Sequence, residues 1–286
     1  MTEPKTVTIG DLERILGTLH RWQGPDWYGG GLQAGDVAWK HRFGPAAVAE
    51  ALTEFVNTSG ATLVVMLHDS PGNWWFAMDP SRLQDRHLAV AIADWADTLP
   101  ADEQCSIDGP ASPAIWREVL ARRGFASSDD VFVHFWQPLS ADRVREVPGV
   151  HSTRTAQDIE DRVLVQRGAF ENSTFTVERW HAMEAGPTFR PELDLVACTD
   201  TGEPASALTA WFAGEGRCGM IEPMGTHHAY RRQGHGVRVL DAACVALSRL
   251  GASGVTVMTY ANSPAAVGVY RAAGFRSMGL LTAMVR

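Results

Sequence analysis

Two stretches of this chain repeat each other at half its length, and that repeat limits the available folds more than any other feature. Residues 112–125 read SPAIWREVLARRGF, and residues 263–275 read SPAAVGVYRAAGF. The Ser-Pro-Ala triplets begin 151 positions apart and the Gly-Phe pairs 150 apart, in a chain of 286 residues. Each copy predicts a helix of about three turns. Ser112 and Ser263 stand as N-caps, with Pro113 and Pro264 in the first turn, where no backbone N–H is needed. Gly124 and Gly274 suit the left-handed position that ends a helix. VFVHFW (131–136) and LLTAMVR (280–286) follow as strands. Two anchors at one offset predict duplication, hence two similar domains rather than one enlarged fold; the length allows either. The polar segment PLSADRVREVPGV (138–150), with two prolines, reads as the connection. It places the domains at 1–140 and 147–286.

The second half gives the clearer pattern. DIEDRVLVQRGAF (158–170) and TVERWHAMEAG (176–186) have helical apolar spacing. LDLVACT, PASALTAWFAG and RCGMIEPMGT read as three strands, the first two joined at Asp200-Thr201-Gly202. A helix from Val237 to Leu250, strand GVTVMTY (254–260), the repeat helix and a last strand complete it. In the first half, DLERILGTLHRW and AAVAEALTEFVNTSG read as helices, TLVVMLHD and NWWFAMD as strands, and RHLAVAIADWADTL as a helix before the repeat unit. This mixture predicts an α/β (α+β) fold, a mixed central sheet flanked by helices in each half.

Composition removes several classes. At 45% hydrophobic and 20% charged residues, the chain is no disordered tail. A formal net charge of −8 argues against a general nucleic-acid binder. No apolar stretch approaches the roughly 20 residues that span a bilayer, so no membrane partner is expected. The opening MTEPKTVTIGDLERIL lacks a secretion signal. Cys105, Cys198, Cys218 and Cys244 are widely spaced without a CxxC pair, as in a cytoplasmic protein whose thiols serve as small buried hydrophobes.

The strongest chemical signal is Tyr230-Arg231-Arg232-Gln233-Gly234-His235-Gly236-Val237, between a predicted strand and a predicted helix. Glycines at such a turn let successive N–H groups point into one concavity, and the helix N-terminus adds positive potential. This is an anion site suited to a pyrophosphate, and Arg231, Arg232 and Arg238 strengthen it. It is neither a Walker loop nor a dinucleotide fingerprint, because the further glycines those motifs need are missing.

Here the sequence resembles the GNAT superfamily of acetyl-coenzyme A-dependent N-acetyltransferases. Arg231-x-x-Gly234-x-Gly236 is similar to its acyl-CoA signature, Glu222-Pro223-Met224-Gly225-Thr226-His227 to its fourth strand, and NSPAAVGVYRAAGF (262–275) to its final motif. The resemblance covers residues 147–286 and implies a fold with a splayed strand pair that admits acyl-CoA. It also implies roles. Met224, Gly225 and Thr226 pair their backbone with the pantetheine arm. Amides from Arg232 to Val237, through Gln233, Gly234, His235 and Gly236, hold the pyrophosphate beside Arg231. Asn262 reaches the cofactor near its thiol, and Tyr270 sets its phenol beside the thioester sulfur. A phenol stays protonated at pH 7 and can donate to a leaving thiolate. Glu222 is the candidate base, directly or through a water, with His227 as an alternative.

Plainer readings stand beside these. Tyr270 can be a core aromatic, Glu222 a structural carboxylate paired with Arg217 or Arg231, and Asn262 an N-cap. His227, His228 and His235 do not read as a metal cluster, because 227 and 228 on an extended segment point to opposite sides. The first half departs from the pattern: Asp79 to His87, its counterpart of the loop, has no glycine and carries Asp79 and Asp85, which repel phosphate. Leu120 stands where the second half has Tyr270, and Ala111 where it has Asn262. A tandem GNAT with a degenerate first domain follows. The first half keeps eight of the ten tryptophans (22, 27, 39, 74, 75, 95, 116 and 136), in its core or between the halves, and Trp27-Tyr28-Gly29-Gly30-Gly31 as a loop by the acceptor cleft.

The sequence therefore predicts a cytoplasmic N-acetyltransferase, monomer or homodimer, that needs acetyl-CoA and no metal. It moves acetyl to a primary amine of a small molecule or peptide by direct attack in a ternary complex. The acidic balance favours a cationic acceptor. A non-catalytic acyl-CoA sensor or a regulatory protein remains the alternative.

Overall fold

The apolar runs 62–70 and 204–211 each form a strand with neighbours on both edges, as near-continuous hydrophobic strands do. The computed structural model of the chain describes residues 2–26, 31–99, 106–108, 114–140 and 146–286. In chain order its strands are β1 (Glu3–Thr6), β2 (Leu52–Val56), β3 (Thr62–Ser70), β4 (Asn73–Met78), β5 (Ser106–Asp108), β6 (Ala126–Pro138), β7 (Val150–Ser152), β8 (Asp194–Cys198), β9 (Pro204–Trp211), β10 (Cys218–Thr226), β11 (Gly254–Tyr260) and β12 (Arg276–Val285). Its α-helices are α1 (Leu12–Trp22), α2 (Ala34–Lys40), α3 (Pro45–Glu50), α4 (Arg86–Ala96), α5 (Ala114–Arg122), α6 (Ala156–Ala169), α7 (Val177–Glu184), α8 (His235–Arg249) and α9 (Pro264–Ala272).

The repeat is visible in these spans. Helices α5 and α9, and the starts of β6 and β12, lie 150 positions apart. Gly124 and Gly274 both have positive φ where their helices end. Ser263 is the N-cap of α9, without a side-chain cap bond, and Asn262 lies one residue before it. Ser112, Pro113 and Ala111 lie outside the described residues, as do Trp27 to Gly30 and Cys105.

All twelve strands form one sheet in the order β1-β2-β3-β4-β5-β12-β6-β11-β10-β9-β8-β7. The order is symmetric about β12 and β6, which pair antiparallel from Arg276↔Trp136 to Val285↔Ala126. Each half gives its last strand to the other. Strand β6 pairs with β11 from Gly254↔Pro138 to Tyr260↔Phe132, and β12 pairs with β5. The repeats are thus separate in sequence and interlocked in space. The core follows the exchange: Met284 of β12 packs with Phe76, Trp116 and Leu120 of the first half, and Phe135 of β6 packs with Val257, Tyr270 and Phe275 of the second.

One reading of the first half is corrected, and one strand is added. AAVAEALTEFVNTSG is not one helix: α3 ends at Glu50, and Leu52–Val56 is strand β2. Its Thr53, Phe55 and Val56 suit a strand, and pairing with β3 overrides the helical preference of the alanines before them. Strand β1 is fully exposed, so no apolar pattern marks it.

One buried polar network ties α6 and α7 to the sheet. Asp194 on β8 is fully buried; it accepts from Arg162 Nε (3.1 Å), Thr209 Oγ1 (2.6 Å), Thr153 Oγ1 (2.5 Å) and Trp180 Nε1 (2.8 Å). The Arg162 guanidinium also donates to Gln166 and Thr209. Removing Asp194 leaves that guanidinium buried and unpaired. Asp194→Ala is expected to lose about 3–5 kcal/mol of stability, read as a lower urea midpoint at unchanged slope.

Candidate active site

The site begins where two strands part. Strands β10 and β11 pair in parallel at Cys218↔Gly254, Gly219↔Val255 and Met220↔Thr256, and go no further. A register shift between Ile221 and Met224 turns β10 aside, while its other edge keeps Met224, Gly225 and Thr226 paired with β9. Beyond Met220 the edge of β10 facing β11 carries no strand. That opening has the shape of a slot for an extended chain bearing amides, and Gly225 backs it against Ala169 and Phe170 at the end of α6.

The slot leads to the loop before α8. Arg232 (φ 66°) and Gly234 (φ 88°) both take the left-handed conformation, and Gly234 is the N-cap of α8. Alternation into this region curls N–H groups toward one point. No side chain caps the helix, and a Cβ on Gly234 would meet nothing within 4 Å. The first amides of α8 thus face an open cradle, which fits a pyrophosphate. Gly236 in its first turn lies against Met224, Thr226 and Val269.

The flanking arginines differ from expectation. Arg231 donates to the carbonyls of Ala169 (2.9 Å) and Thr226 (3.4 Å), and Arg238 to the carbonyl of Cys198 (3.0 Å). They brace the loop against its surroundings. Arg232, exposed and with no side-chain hydrogen bond among the described residues, is the arginine left for an anion. Gln233 is exposed, whereas His235 is buried. His227 and His228 are a correction too. Their rings stack at 4.4 Å, because the chain leaves the extended strand at Thr226 and coils through residues 228–230.

The first half shows the opposite arrangement. Asp85 caps α4 by accepting from the amides of His87 (3.0 Å) and Leu88 (3.2 Å), and Asp79 accepts from the Ser81 amide. The amides that α8 leaves open are closed off here by carboxylates. Leu120 is buried in the core at the place equivalent to Tyr270.

Tyr270 on α9 is a core aromatic whose hydroxyl faces the splayed strand. Its ring is buried against Phe135 (5.6 Å) and Phe275 (5.9 Å), while its hydroxyl lies 4.0 Å from Met224 Sδ on the splayed strand. Burial, and then the nearby Glu222 carboxylate, push the phenol well above its usual range, so it keeps its proton. Asn262 is exposed in the turn after β11.

Glu222 lies on the turned part of β10. Its backbone carbonyl accepts from Trp211 Nε1 (2.7 Å), and its carboxylate has no hydrogen bond or ion pair among the described residues. Arg217 instead donates to the carbonyls of His20 and Ala213, so neither arginine considered as a partner holds the carboxylate. Burial raises the Glu222 pKa to about 7, Arg42 works against that, and Asp69 adds to it.

Arg42 and Asp69 belong to the first half, and motif reading missed them. Helix α2 carries this region onto the site: a Cβ on Gly35 would fall 2.7 Å from both Met220 Sδ and the Trp211 ring. Only a residue without a side chain lets α2 lie this close to β9 and β10. The segment 41–43 after it packs on α7, and Trp39 meets Phe175 at 5.3 Å. The first half thus brings Arg42 and Asp69 close enough to Glu222 to act on its carboxyl.

Comparisons with known proteins agree with this geometry. Residues 159–275 match the acetyltransferase (GNAT) family. Among solved structures, the chain is similar to a GCN5-related N-acetyltransferase from Sphaerobacter thermophilus (18% identity, 100% of this chain and 95% of that one, TM-score 0.60). An acetyltransferase from the GNAT family of Colwellia psychrerythraea is similar at 12% identity, 99% and 98% coverage and TM-score 0.61. A tandem GNAT protein from the clavulanic acid biosynthesis pathway is similar at 18% identity, 100% and 98% coverage and TM-score 0.57. No curated protein sequence matches the chain at a significant level. No helix among the described residues is long and apolar enough to cross a membrane. Residues 159–275 are thus a GNAT-family domain, and the chain as a whole has the fold of a tandem GNAT.

Proposed function

We propose that the chain transfers an acetyl group from acetyl-CoA to a primary amine of a small molecule or peptide, at a single site in its second half. The observation that carries this is the coincidence of three things at one end of β10: an uncapped α8, a splayed strand edge, and a carboxyl that burial poises near neutrality beside a protonated phenol. An acyl-CoA sensor needs the first two and has no use for the third.

Acetyl-CoA supplies the activated thioester; the chain supplies position and protons. The loop amides and the β10 edge hold the donor in line. Glu222, directly or through a water, takes a proton from the acceptor ammonium. The freed nitrogen attacks the thioester carbonyl, forming the C–N bond, and the C–S bond then breaks. Tyr270 gives its proton to the departing sulfur and recovers one from the amide nitrogen. The Glu222 proton passes to solvent, so the sum is amide, free thiol and one proton. This path uses no nucleophilic side chain, and Cys218 and Cys244 lie buried in cores.

Thiol release over an amine panel tests the reading. Tyr270→Phe keeps the buried ring and is expected to lower kcat about 10²-fold. Gly234→Glu brings a side chain into the left-handed position and a carboxylate into the cradle, so acetyl-CoA binding by calorimetry should weaken at least tenfold. Donor binding without turnover of any amine, together with an unaffected Tyr270→Phe, favours the sensor instead.

A further inference from the structure

The charges that face Glu222 from the first half do not match a plain cation as the acceptor. Arg42 lies between two rings, its guanidinium carbon 4.0 Å from the Trp39 centroid and 4.3 Å from that of Phe43. One of its nitrogens donates to the Trp39 carbonyl (2.7 Å). No carboxylate of the described residues forms an ion pair with it. Arg179 on α7 stands over the same Phe43 ring at 4.9 Å, and it too has no acidic partner among the described residues; it donates to the Thr174 carbonyl at 2.7 Å. Two guanidiniums thus flank one aromatic ring, one contributed by each half of the chain, and Arg42 is close enough to Glu222 to act on its carboxyl.

The neighbouring carboxylates do not cancel them. Asp69 is 3.8 Å from Lys40 Nζ, which also donates to the carbonyls of His68 and Asp69, so that pair is locally neutral. Asp36 accepts from the Gln33 amide (2.7 Å) and forms no ion pair with Arg42 or Arg179; burial, with Glu222 and Asp69 nearby, raises its pKa well above the usual range. Burial lowers the Arg42 pKa to about 10, with Asp69 and Glu222 working against it, and at neutral pH it stays a cation. Among the described residues neither Asp36 nor Asp69 bonds to Arg42 or Arg179, whose hydrogen bonds go to the Trp39 carbonyl and to Thr174, so both guanidiniums keep donors for a carboxylate from outside.

Resting on the acyl-transfer reading above, the geometry points to an acceptor of amino-acid type: its carboxylate seats on Arg42 and Arg179 around Phe43 while its amine reaches Glu222. A planar guanidinium held flat between rings offers a fixed fork to a carboxylate, which an ammonium in that place could not. The ring of Phe43, 42% exposed, leaves an apolar floor between the two forks.

Binding rather than turnover makes the test, so that this inference and the transfer reading can fail separately. With the protein saturated in CoA, calorimetry compares N-acetyl amino acids with the matching N-acetyl amines, which lack only the carboxylate. Across several side-chain pairs, the carboxylated member is expected to bind at least tenfold tighter. Arg42→Ala should bring that ratio close to one, and Arg42→Lys should restore it only in part, because the charge returns without the fork. An unchanged unfolding midpoint, or retained CoA affinity, shows that the variant is folded. Equal binding of both members in the parent protein overturns the inference. So does a preference for the uncharged member, or a ratio that survives in folded Arg42→Ala. A carboxylate preference without any amine turnover leaves this site standing and removes the transfer reading alone.

Discussion

Glu222→Gln should lower kcat/KM for the acceptor by 10²- to 10⁴-fold, the span that loss of a positioned general base commonly gives. It should also change the shape of the pH profile. A base must be deprotonated to act, and the Glu222 carboxyl titrates at about 7. The logarithm of kcat/KM for the parent enzyme should therefore rise with unit slope below pH 7 and level off above it, until the free amine of the acceptor contributes its own ionisation. In Glu222→Gln the step near 7 should vanish, leaving a flat residual. The phenol of Tyr270 is shifted upward, so no alkaline limb from it is expected below pH 10. Retention of the step near 7 in Glu222→Gln would sink the assignment and point to His227. That ring, however, has a pKa moved downward by burial and by His228 and Arg231, and its Nδ1 already accepts from the Ala229 amide.

Separating the halves should be at least as damaging. A segment of residues 147–286 contains the loop, Glu222 and Tyr270, yet it lacks β6. Without it β11 loses its antiparallel partner, and the Tyr270 ring loses the Phe135 wall. Strand β12 is left with neither β5 nor β6. Expressed alone, this segment should aggregate or unfold without cooperativity, and residues 1–146 supplied in trans should restore soluble, active material. Size-exclusion chromatography and urea unfolding read the outcome. A monomeric 147–286 segment with a sharp transition and full activity would show that the exchange is dispensable. The single-site counterpart is Phe135→Ala, which opens a cavity against Tyr270 in an otherwise close-packed core. It should destabilise by about 3–5 kcal/mol and lower kcat as well, though Phe135 touches no reacting atom.

The sequence made the loop of the candidate site legible and the wall contributed by the first half opaque, for a physical reason. Holding a pyrophosphate needs backbone, and backbone geometry leaves local marks: glycines at fixed offsets, a strand before them, a helix after. Gly234, Gly236 and the start of α8 could be read within ten residues. Arg42 and Phe43 lie some 180 residues from Glu222, Asp69 some 150, and they obey no motif; the approach of α2 at Gly35 brings the first two there. The same contrast runs through the fold. Helix α9 carries its own start and stop, whereas VFVHFW has the same alternation whichever sheet it joins, so the exchange of β6 and β12 was beyond reach. The misread β2 shows local preference losing to pairing, since alanines before Leu52 favour a helix and the edge of β3 does not. His227 and His228 point apart only on a segment that stays extended past the strand, and the chain coils through residues 228–230 instead.

The interlocked sheet also orders events during synthesis. When β5 leaves the ribosome, its edge has no partner, and the strand that will cover it is made about 170 residues later. Until then β6 has only the growing second half to pair with, and the first half waits with an open edge. Such a chain does not mature half by half, as tandem domains commonly do. Its first half becomes complete only when its second half does, and a ribosome stalled past residue 250 would hold two unfinished sheets rather than one finished domain.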